Sequence, residues 1–356
     1  MRKILVLLFI TFFAISYSQN RVAFVKLNKE EDGKYYYQNQ LYSGESLLLW
    51  PSNNKPMQRI TWKNGQIDGS FMSWYENGKP DQEIGYKEGI RHGTFKTFYR
   101  NGAREVHCSY MDGVLHGGYI SYNVNNTPKK KAKFVEGKEQ GPFQLFHTNG
   151  KKEQAGNFKD GLPHGLVTSY DREGIKRKEI NYKNGLRDGR STTFHISEKV
   201  AETCDYVDGF AEGEKLVYTL EGAIVIKETY KTGKLNGESI TFTMSGNPLE
   251  IKTYKNGLLD GPYKLYKEKG LHTYGNYKEG KKTGEWVEHK FGEGGPDSGS
   301  YIKGKKNGHW KLGATNLFGK CNGDFQDNLK HGKWEYWNHN GRKLKSEQWD
   351  NGVLIK

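Results

Sequence analysis

The chain has 356 residues, of which 45 are glycine and 23 are tyrosine, and only 34% are hydrophobic. A globular α/β enzyme of this length carries more Leu, Ile, Val and Ala, so the composition argues against two ordinary cores. The net charge of +14 favours acidic partners such as anionic lipid head groups, envelope polysaccharide or an acidic protein. Abundant glycine and tyrosine in a polar chain indicate many turns and short strands, as in repeat proteins.

The first 18 residues have the composition of a signal peptide. Two basic residues precede an apolar stretch from Ile4 to Ile15, and small residues at positions 16 and 18 fit cleavage before Gln19. The apolar stretch is shorter than the about 20 residues that span a bilayer. We therefore expect residues 1–18 to be removed and the protein to be exported to the periplasm, the cell surface or the medium. No transmembrane segment would remain after cleavage, and no nucleic-acid partner is expected.

Residues 36–356 repeat every 24 residues, and residues 19–35 would cap this array. Each copy reads Tyr-Lys-Asn-Gly, three variable residues, a second glycine, and a short strand with an aromatic residue. The paired glycines recur throughout, for example as Gly65 and Gly69, Gly89 and Gly93, and Gly257 and Gly261. One residue is missing before Gly280, and an imperfect first copy has Gln40 in place of the first glycine.

Each copy is predicted to form two strands and two turns, because no apolar residues recur at helical spacing. Asn-Gly dipeptides, which favour type I′ hairpins, follow the first strand at residues 77–78, 101–102, 149–150 and 340–341. An isolated hairpin is only marginally stable in water, so each hairpin must pack against its neighbours. The sequence predicts an all-β, elongated, twisted solenoid or ribbon of about 13 tandem 24-residue β-hairpin repeats.

An aromatic residue follows the second glycine in most copies and should anchor the packing between hairpins. In the last third of the chain these anchors are Trp286, Trp310 and Trp334. The packing is predicted to be weakest near residues 185–245, where the aromatic residue is replaced by Ser191, Lys215 and Ser239.

Two of the three cysteines, Cys108 and Cys204, are predicted to be free, buried thiols. Cys108 and Cys204 occupy the same position four repeats apart, which places them about 40 Å from each other at the strand spacing of a sheet. A disulfide needs Cα atoms within about 7 Å. Cys321 has no evident partner.

Histidines invite a metal hypothesis, because one directly precedes the second glycine at His92, His116, His164 and His331. Asp or Asn takes this position in other repeats, which indicates hydrogen bonding within turns. Successive repeats lie about 10 Å apart, whereas zinc ligands share one ion at about 2 Å. No Ser-His-Asp, Cys-His or HExxH arrangement is assembled locally, so we expect no catalytic residue, no cofactor and no metal.

A column of lysines is the candidate binding surface. The lysine directly follows the aromatic residue of its repeat, so alternation places it on the solvent side. Its members are Lys63, Lys87, Lys159, Lys183, Lys231, Lys255 and Lys278. The column could bind a repeating anionic surface, or it could be a solvated face that keeps strand edges from aggregating.

The three segments Tyr277–Trp286, Tyr301–Trp310 and Phe325–Trp334 come close to the pattern Tyr-Lys-Asn-Gly-x-x-x-Gly-x-Trp. This pattern resembles the variant MORN repeat of bacterial proteins, some of which are labelled antitoxins, and the resemblance covers about residues 36–356. It implies a β-hairpin solenoid that binds proteins or membranes, and it implies no catalytic residues.

Together these observations favour a non-catalytic binding scaffold of the bacterial envelope that recognises a protein partner through its repeat face. Two alternatives remain open. One is peripheral binding of anionic lipid or polysaccharide through the lysine column. The other is an antitoxin-like neutraliser of an effector protein.

Overall fold

The computed structural model describes residues 21–268, 270–289, 295–314 and 318–356, so the predicted signal peptide lies outside the described residues. The described regular structure is β-strand, apart from one 3-10 turn at Phe24–Lys26, which confirms the all-β class. None of the helical structure in these ranges has the length and apolar character to cross a bilayer. The chain divides into two compact units, residues 1–151 and 152–356.

Unit 1 is built from short strands that pair mainly with their neighbours in sequence. They are β1 Arg21–Ala23, β2 Asn28–Lys29, β3 Tyr35–Tyr37, β4 Gln40–Leu41, β5 Gly44–Leu49, β6 Pro56–Lys63, β7 Gln66–Trp74, β8 Pro80–Lys87, β9 Ile90–Phe98, β10 Arg104–Met111, β11 Val114–Tyr122, β12 Pro128–Val135, β13 Lys138–Glu139 and β14 Gly141–Phe146. From β5 to β12 every pairing is antiparallel. β1 adds to β5 in parallel, and β2–β4 form a small separate sheet.

Unit 2 continues the same hairpin pattern. Its strands are β15 Lys152–Lys159, β16 Leu162–Pro163, β17 Gly165–Tyr170, β18 Lys176–Lys183, β19 Leu186–Phe194, β20 Val200–Val207, β21 Phe210–Tyr218, β22 Ile224–Lys231, β23 Lys234–Phe242, β24 Pro248–Lys255, β25 Leu258–Lys267, β26 Gly270–Lys278, β27 Lys281–Glu288, β28 Asp297–Ile302, β29 Lys305–Leu312, β30 Lys320–Gln326, β31 Leu329–Trp337, β32 Lys343–Asp350 and β33 Val353–Leu354. In each unit the hairpins are tandem copies of one design.

One side of each hairpin ladder, here called the turn edge, carries the two-residue turns. Asn64 and Gly65 have φ of 49° and 76°, the paired positive values of a type I′ turn. Asp327 and Asn328 form this turn without glycine. In the first copy the pair is Gln38 and Asn39, whereas Gln40 lies in β4, so the prediction that Gln40 occupies the turn is wrong.

The opposite side, here called the loop edge, carries three-residue loops, and the predicted type I′ turns at the Asn-Gly dipeptides are wrong. At residues 77–78 only Gly78 has positive φ, and its N–H donates to the carbonyl of Tyr75. This is a type I turn followed by a glycine bulge. The Asn77 carboxamide accepts from the N–H of Lys79 and donates to the carbonyl of Arg100 in the next loop. Asparagine therefore serves hydrogen bonding between repeats rather than a left-handed backbone.

The second glycine marks a bulge that links one repeat to the next. Ile60 pairs with Phe71 but Trp62 pairs with Ile67, so β7 carries extra residues at Gly69, where φ is 108°. The N–H of Gly89, in the following turn, donates to the carbonyl of Ile67 at 2.7 Å. This bond fixes the spacing of successive turns and explains the constant repeat length. The missing residue before Gly280 shortens a loop instead, where Lys267 pairs with Gly270.

Buried apolar clusters lie near the start of unit 1 and near the end of unit 2. In unit 1, Leu27 and Phe24 pack against a cluster that contains Ile60 and Trp62. In unit 2, the predicted anchors are fully buried at Trp286, Trp310 and Trp334. Cys108 and Cys204 are buried and form no disulfide, as predicted, and Cys321 is buried as well.

Between residues 185 and 245 an ion-pair cluster replaces one of the predicted aromatic contacts. Lys215 Nζ lies 3.4 Å from a carboxylate oxygen of Glu202 and 3.8 Å from one of Glu228. These two glutamates lie on the strands that flank β21. Ser191 is buried between Ile180 and Cys204, which pair with it from either side. In this region polar side chains therefore take the places that aromatic anchors hold in the other repeats.

Candidate binding edges

All seven lysines of the predicted column are exposed, and each ends a strand at the turn edge. The column is not continuous, because the same position holds Met111, Val135, Val207 and Ile302 in other repeats. The structure therefore separates the seven lysines into short groups, and their role in binding remains a prediction.

Four successive turns of unit 2 carry seven lysines. We define the lysine row as the exposed lysines of these turns: Lys231, Lys234, Lys255, Lys278, Lys281, Lys303 and Lys305. The only acidic residue in the same four turns is Glu279, whose N–H donates to the Asp260 carboxylate. This hydrogen bond lowers the pKa of Asp260, and so does the Lys278 ammonium, whose Nζ lies 3.3 Å from the same carboxylate.

Several of the residues before the second glycine bond to the turn of the next repeat, but the buried Nδ1 atoms of His116 and His164 have no hydrogen-bond partner among the described residues. Asp68 accepts from the N–H of Glu88, and the His92 ring nitrogen lies 3.3 Å from the Asp112 carboxylate. His92 thus contacts the following turn. Within the part of the chain that the structure describes, no three His, Cys, Asp or Glu side chains are grouped to hold a metal ion.

The loop edge of unit 2 carries an apolar surface that the sequence interpretation missed. We define the apolar stripe as its exposed apolar side chains: Ile196, Val200, Leu220, Ile224, Met244, Leu249 and Leu271. The loop tips are the most accessible members, with Ile196 exposed to 70%, Leu220 to 51% and Met244 to 79%. These tips recur at the repeat spacing, so they form a line about 10 Å apart.

A row of aromatic residues lies at the strand ends next to the stripe. Its half-buried members pair with stripe residues or with Pro248, as Phe194 with Val200, Tyr218 with Ile224, Phe242 with Pro248, and Tyr266 with Leu271. The signal was present in the sequence, because aromatic residues recur every 24 positions at Trp74, Phe98, Tyr122 and Phe146 as well.

The loop tips of unit 1 differ in chemistry although their geometry is the same. The residues equivalent to Ile196, Leu220 and Met244 are Glu76, Arg100, Val124 and Thr148. Charged residues are therefore compatible with this loop, and the turn itself does not require an apolar side chain. Three consecutive apolar tips occur in the central repeats of unit 2, whereas Val124 is the one apolar residue among the four equivalent tips of unit 1.

A groove lies at the end of the stripe, next to the loop that is one residue shorter. Its lining includes Pro248, Leu249, Tyr266 and His272, with Lys267 and Glu268 at the rim. The His272 ring contacts the ring of His289, and burial and the charge of Lys267 lower the pKa of His272. Its neutral form is therefore favoured, which keeps the groove mainly apolar.

The MORN repeat variant family matches four segments of the chain, at residues 67–88, 91–112, 139–160 and 163–184. Each match covers a strand, a loop and a returning strand. The chain thus contains MORN-variant repeats, and repeats of this kind indicate a binding scaffold.

No curated protein matches the sequence. The Tc holotoxin pore of Photorhabdus luminescens is similar at 11% identity and a TM-score of 0.13, over 89% of this chain and 18% of that chain. A crystal structure of a TcdB2–TccC3–Cdc42 complex is similar at 10% identity and a TM-score of 0.14, over 88% of this chain and 22% of that chain.

Proposed function

We propose that this chain of MORN-variant repeats is a non-catalytic scaffold that binds a protein partner on the apolar stripe of unit 2. The observation that carries the proposal is the line of exposed apolar loop tips at Ile196, Leu220 and Met244. Contiguous exposed apolar patches on protein surfaces mark interaction sites.

Charged residues surround the stripe as a rim. Glu198, Lys199 and Glu221 lie beside the tips, and Lys267 and Glu268 lie at the groove. Both signs are present, so the rim does not select for an anionic surface. A partner that presents an apolar patch with mixed charges at its border fits this arrangement.

The composition of residues 1–18 supports a location outside the cytoplasm, in the periplasm, at the cell surface or in the medium. An exported effector protein is one partner of the required chemistry. In that case the scaffold would act as an antitoxin-like neutraliser, because binding would cover the effector's surface.

Capture from an extract of the source organism, followed by affinity measurement with the purified captured protein, tests the proposal. Glutamate at all three tips (Ile196→Glu, Leu220→Glu, Met244→Glu) should weaken binding at least about tenfold, because interface centres carry most of the binding energy. Val124→Glu, at the equivalent tip of unit 1, is the matched control and should bind as the wild type does. Equal affinity of the triple variant and the wild type would refute the assignment.

A further inference from the structure

The lysine row lies on the turn edge of unit 2, whereas the apolar stripe lies on its loop edge. The four turns at residues 231–234, 255–258, 278–281 and 302–305 hold seven lysines and one acidic residue. The four turns of unit 1 at residues 63–66, 87–90, 111–114 and 135–138 hold three lysines and three acidic residues. Aspartates at 208 and 327 occupy the turns on either side of the row. The positive charge is therefore local to four turns and is not a general property of the repeat.

Most of this charge is not neutralised within the protein. Lys278 is paired with Asp260, and Lys305 Nζ lies 3.6 Å from Asp327. No salt bridge to any described residue engages the other five members, Lys231, Lys234, Lys255, Lys281 and Lys303. These ammonium groups are accessible and available to an external anion.

The pairing across the turns concentrates like charge. Lys231 lies directly opposite Lys234, and Lys278 lies directly opposite Lys281. Like charges opposite each other destabilise a hairpin. An anion that lies between them relieves this repulsion, so the folded protein should gain stability when the row is occupied.

The lysines of the row are arranged along a line. Successive turns follow each other at two strand spacings, about 10 Å. Lysines lie on both flanking strands at the turns 231–234 and 278–281, and on one flanking strand at the turns 255–258 and 302–305. A linear polyuronic acid such as polygalacturonate carries one carboxylate on every sugar, so every second carboxylate along its chain recurs at a similar interval. We propose that the lysine row binds a linear anionic polysaccharide whose chain lies along the four turns.

Binding of purified protein to polygalacturonate tests the proposal, with neutral dextran and anionic phosphatidylglycerol vesicles as comparison ligands. We expect binding to polygalacturonate that weakens steeply as salt rises, because the contacts are between exposed charges. Changing Lys231, Lys234, Lys255 and Lys281 to Gln should weaken it at least about tenfold, since four such contacts are lost.

A control variant removes the same number of charges from the turn edge outside the row. Changing Lys63, Lys87, Lys159 and Lys183 to Gln should leave the affinity within about twofold, because these turns are not part of the row. Both variants alter exposed residues, and thermal unfolding verifies that each is folded. Equal losses in the two variants, no binding to polygalacturonate, or binding to vesicles alone would each overturn the proposal.

Discussion

The indole of Trp310 lies directly against the backbone of Gly299, where an added methyl group would approach the ring atoms to 2.3 Å. Its Nε1–H donates to the carbonyl of Ser300 at 3.1 Å, and the ammonium of Lys306 lies 4.0 Å from the ring centroid. Trp286 is placed in the same way against Gly275, and Trp334 against Gly323. Each tryptophan is therefore held between a glycine backbone and a lysine.

Gly299→Ala should destabilise unit 2 by about 3 kcal/mol, because the new methyl group overpacks a close contact. Replacing Trp310 with Leu in the Gly299→Ala variant should recover part of this loss. The stability changes of two substitutions at residues in contact are generally not additive. Urea unfolding monitored by tryptophan fluorescence measures both variants.

Gly118→Ala is the matched control, because nothing lies within 4 Å of a methyl group added there. It should leave stability within about 0.5 kcal/mol of the wild type. If Gly299→Ala were as mild as the control, the contact between Gly299 and Trp310 would not contribute to the core.

Thr232→Asn should stabilise the repeats around it by about 1 kcal/mol. Thr232 has φ of 49°, a left-handed conformation that costs a β-branched residue about 1–2 kcal/mol and that asparagine tolerates better. The hydrogen bond from its N–H to Glu212 is retained, because it involves only the backbone of residue 232. Amide hydrogen exchange at the flanking strands should slow.

Asn256→Thr makes the reverse change in the next turn, where Asn256 has φ of 52°. The free energy of opening of the flanking strands should fall by a comparable amount, so amide exchange there should become faster. Unchanged exchange in both variants would show that the turn edge does not impose the left-handed conformation on residue 232.

Stability should fall as pH rises above 9. Burial raises the pKa of Cys108 from 9.0 to about 11, although the charge of Arg91 partly opposes this. The folded state therefore holds the proton more tightly than the unfolded chain, so this contribution is complete below pH 9 and is lost as pH approaches 11. Urea midpoints measured across this range should decline less in Cys108→Ala than in the wild type. If the urea midpoints of the wild type and of Cys108→Ala declined equally with pH, Cys108 would not be the source of this pH dependence.

The period, the hairpins and the buried tryptophans could be predicted from the sequence, because each depends on local spacing. The constant distance between glycines reflects the hydrogen bond from the Gly89 N–H to Ile67 and its equivalents. Trp310 is buried because its repeat supplies a glycine, Gly299, that admits the ring. These signals lie within one repeat, so a single sequence reveals them.

The turn types and the binding edges were harder to predict. An Asn-Gly dipeptide fits two kinds of connection. Only the pairing of Trp74 with Pro80 and the hydrogen bond from the Tyr75 N–H to the Lys79 carbonyl show that the loop has three residues, 76–78. The stripe escaped notice because Ile196, Leu220 and Met244 differ in identity and share only their position. The lysine column is interrupted by Met111, Val135, Val207 and Ile302, and its role in binding stays a prediction because local spacing does not show which lysines face each other across a turn.

Photo-crosslinking tests the central claim of a protein partner on the apolar stripe most directly. A photoreactive amino acid is placed at position 220 in unit 2 and, as the matched control, at position 124 in unit 1, both of which are exposed loop tips. The account predicts one defined protein adduct from position 220 in the source organism and none of comparable yield from position 124. Equal adducts from both positions, or none from position 220, would contradict it.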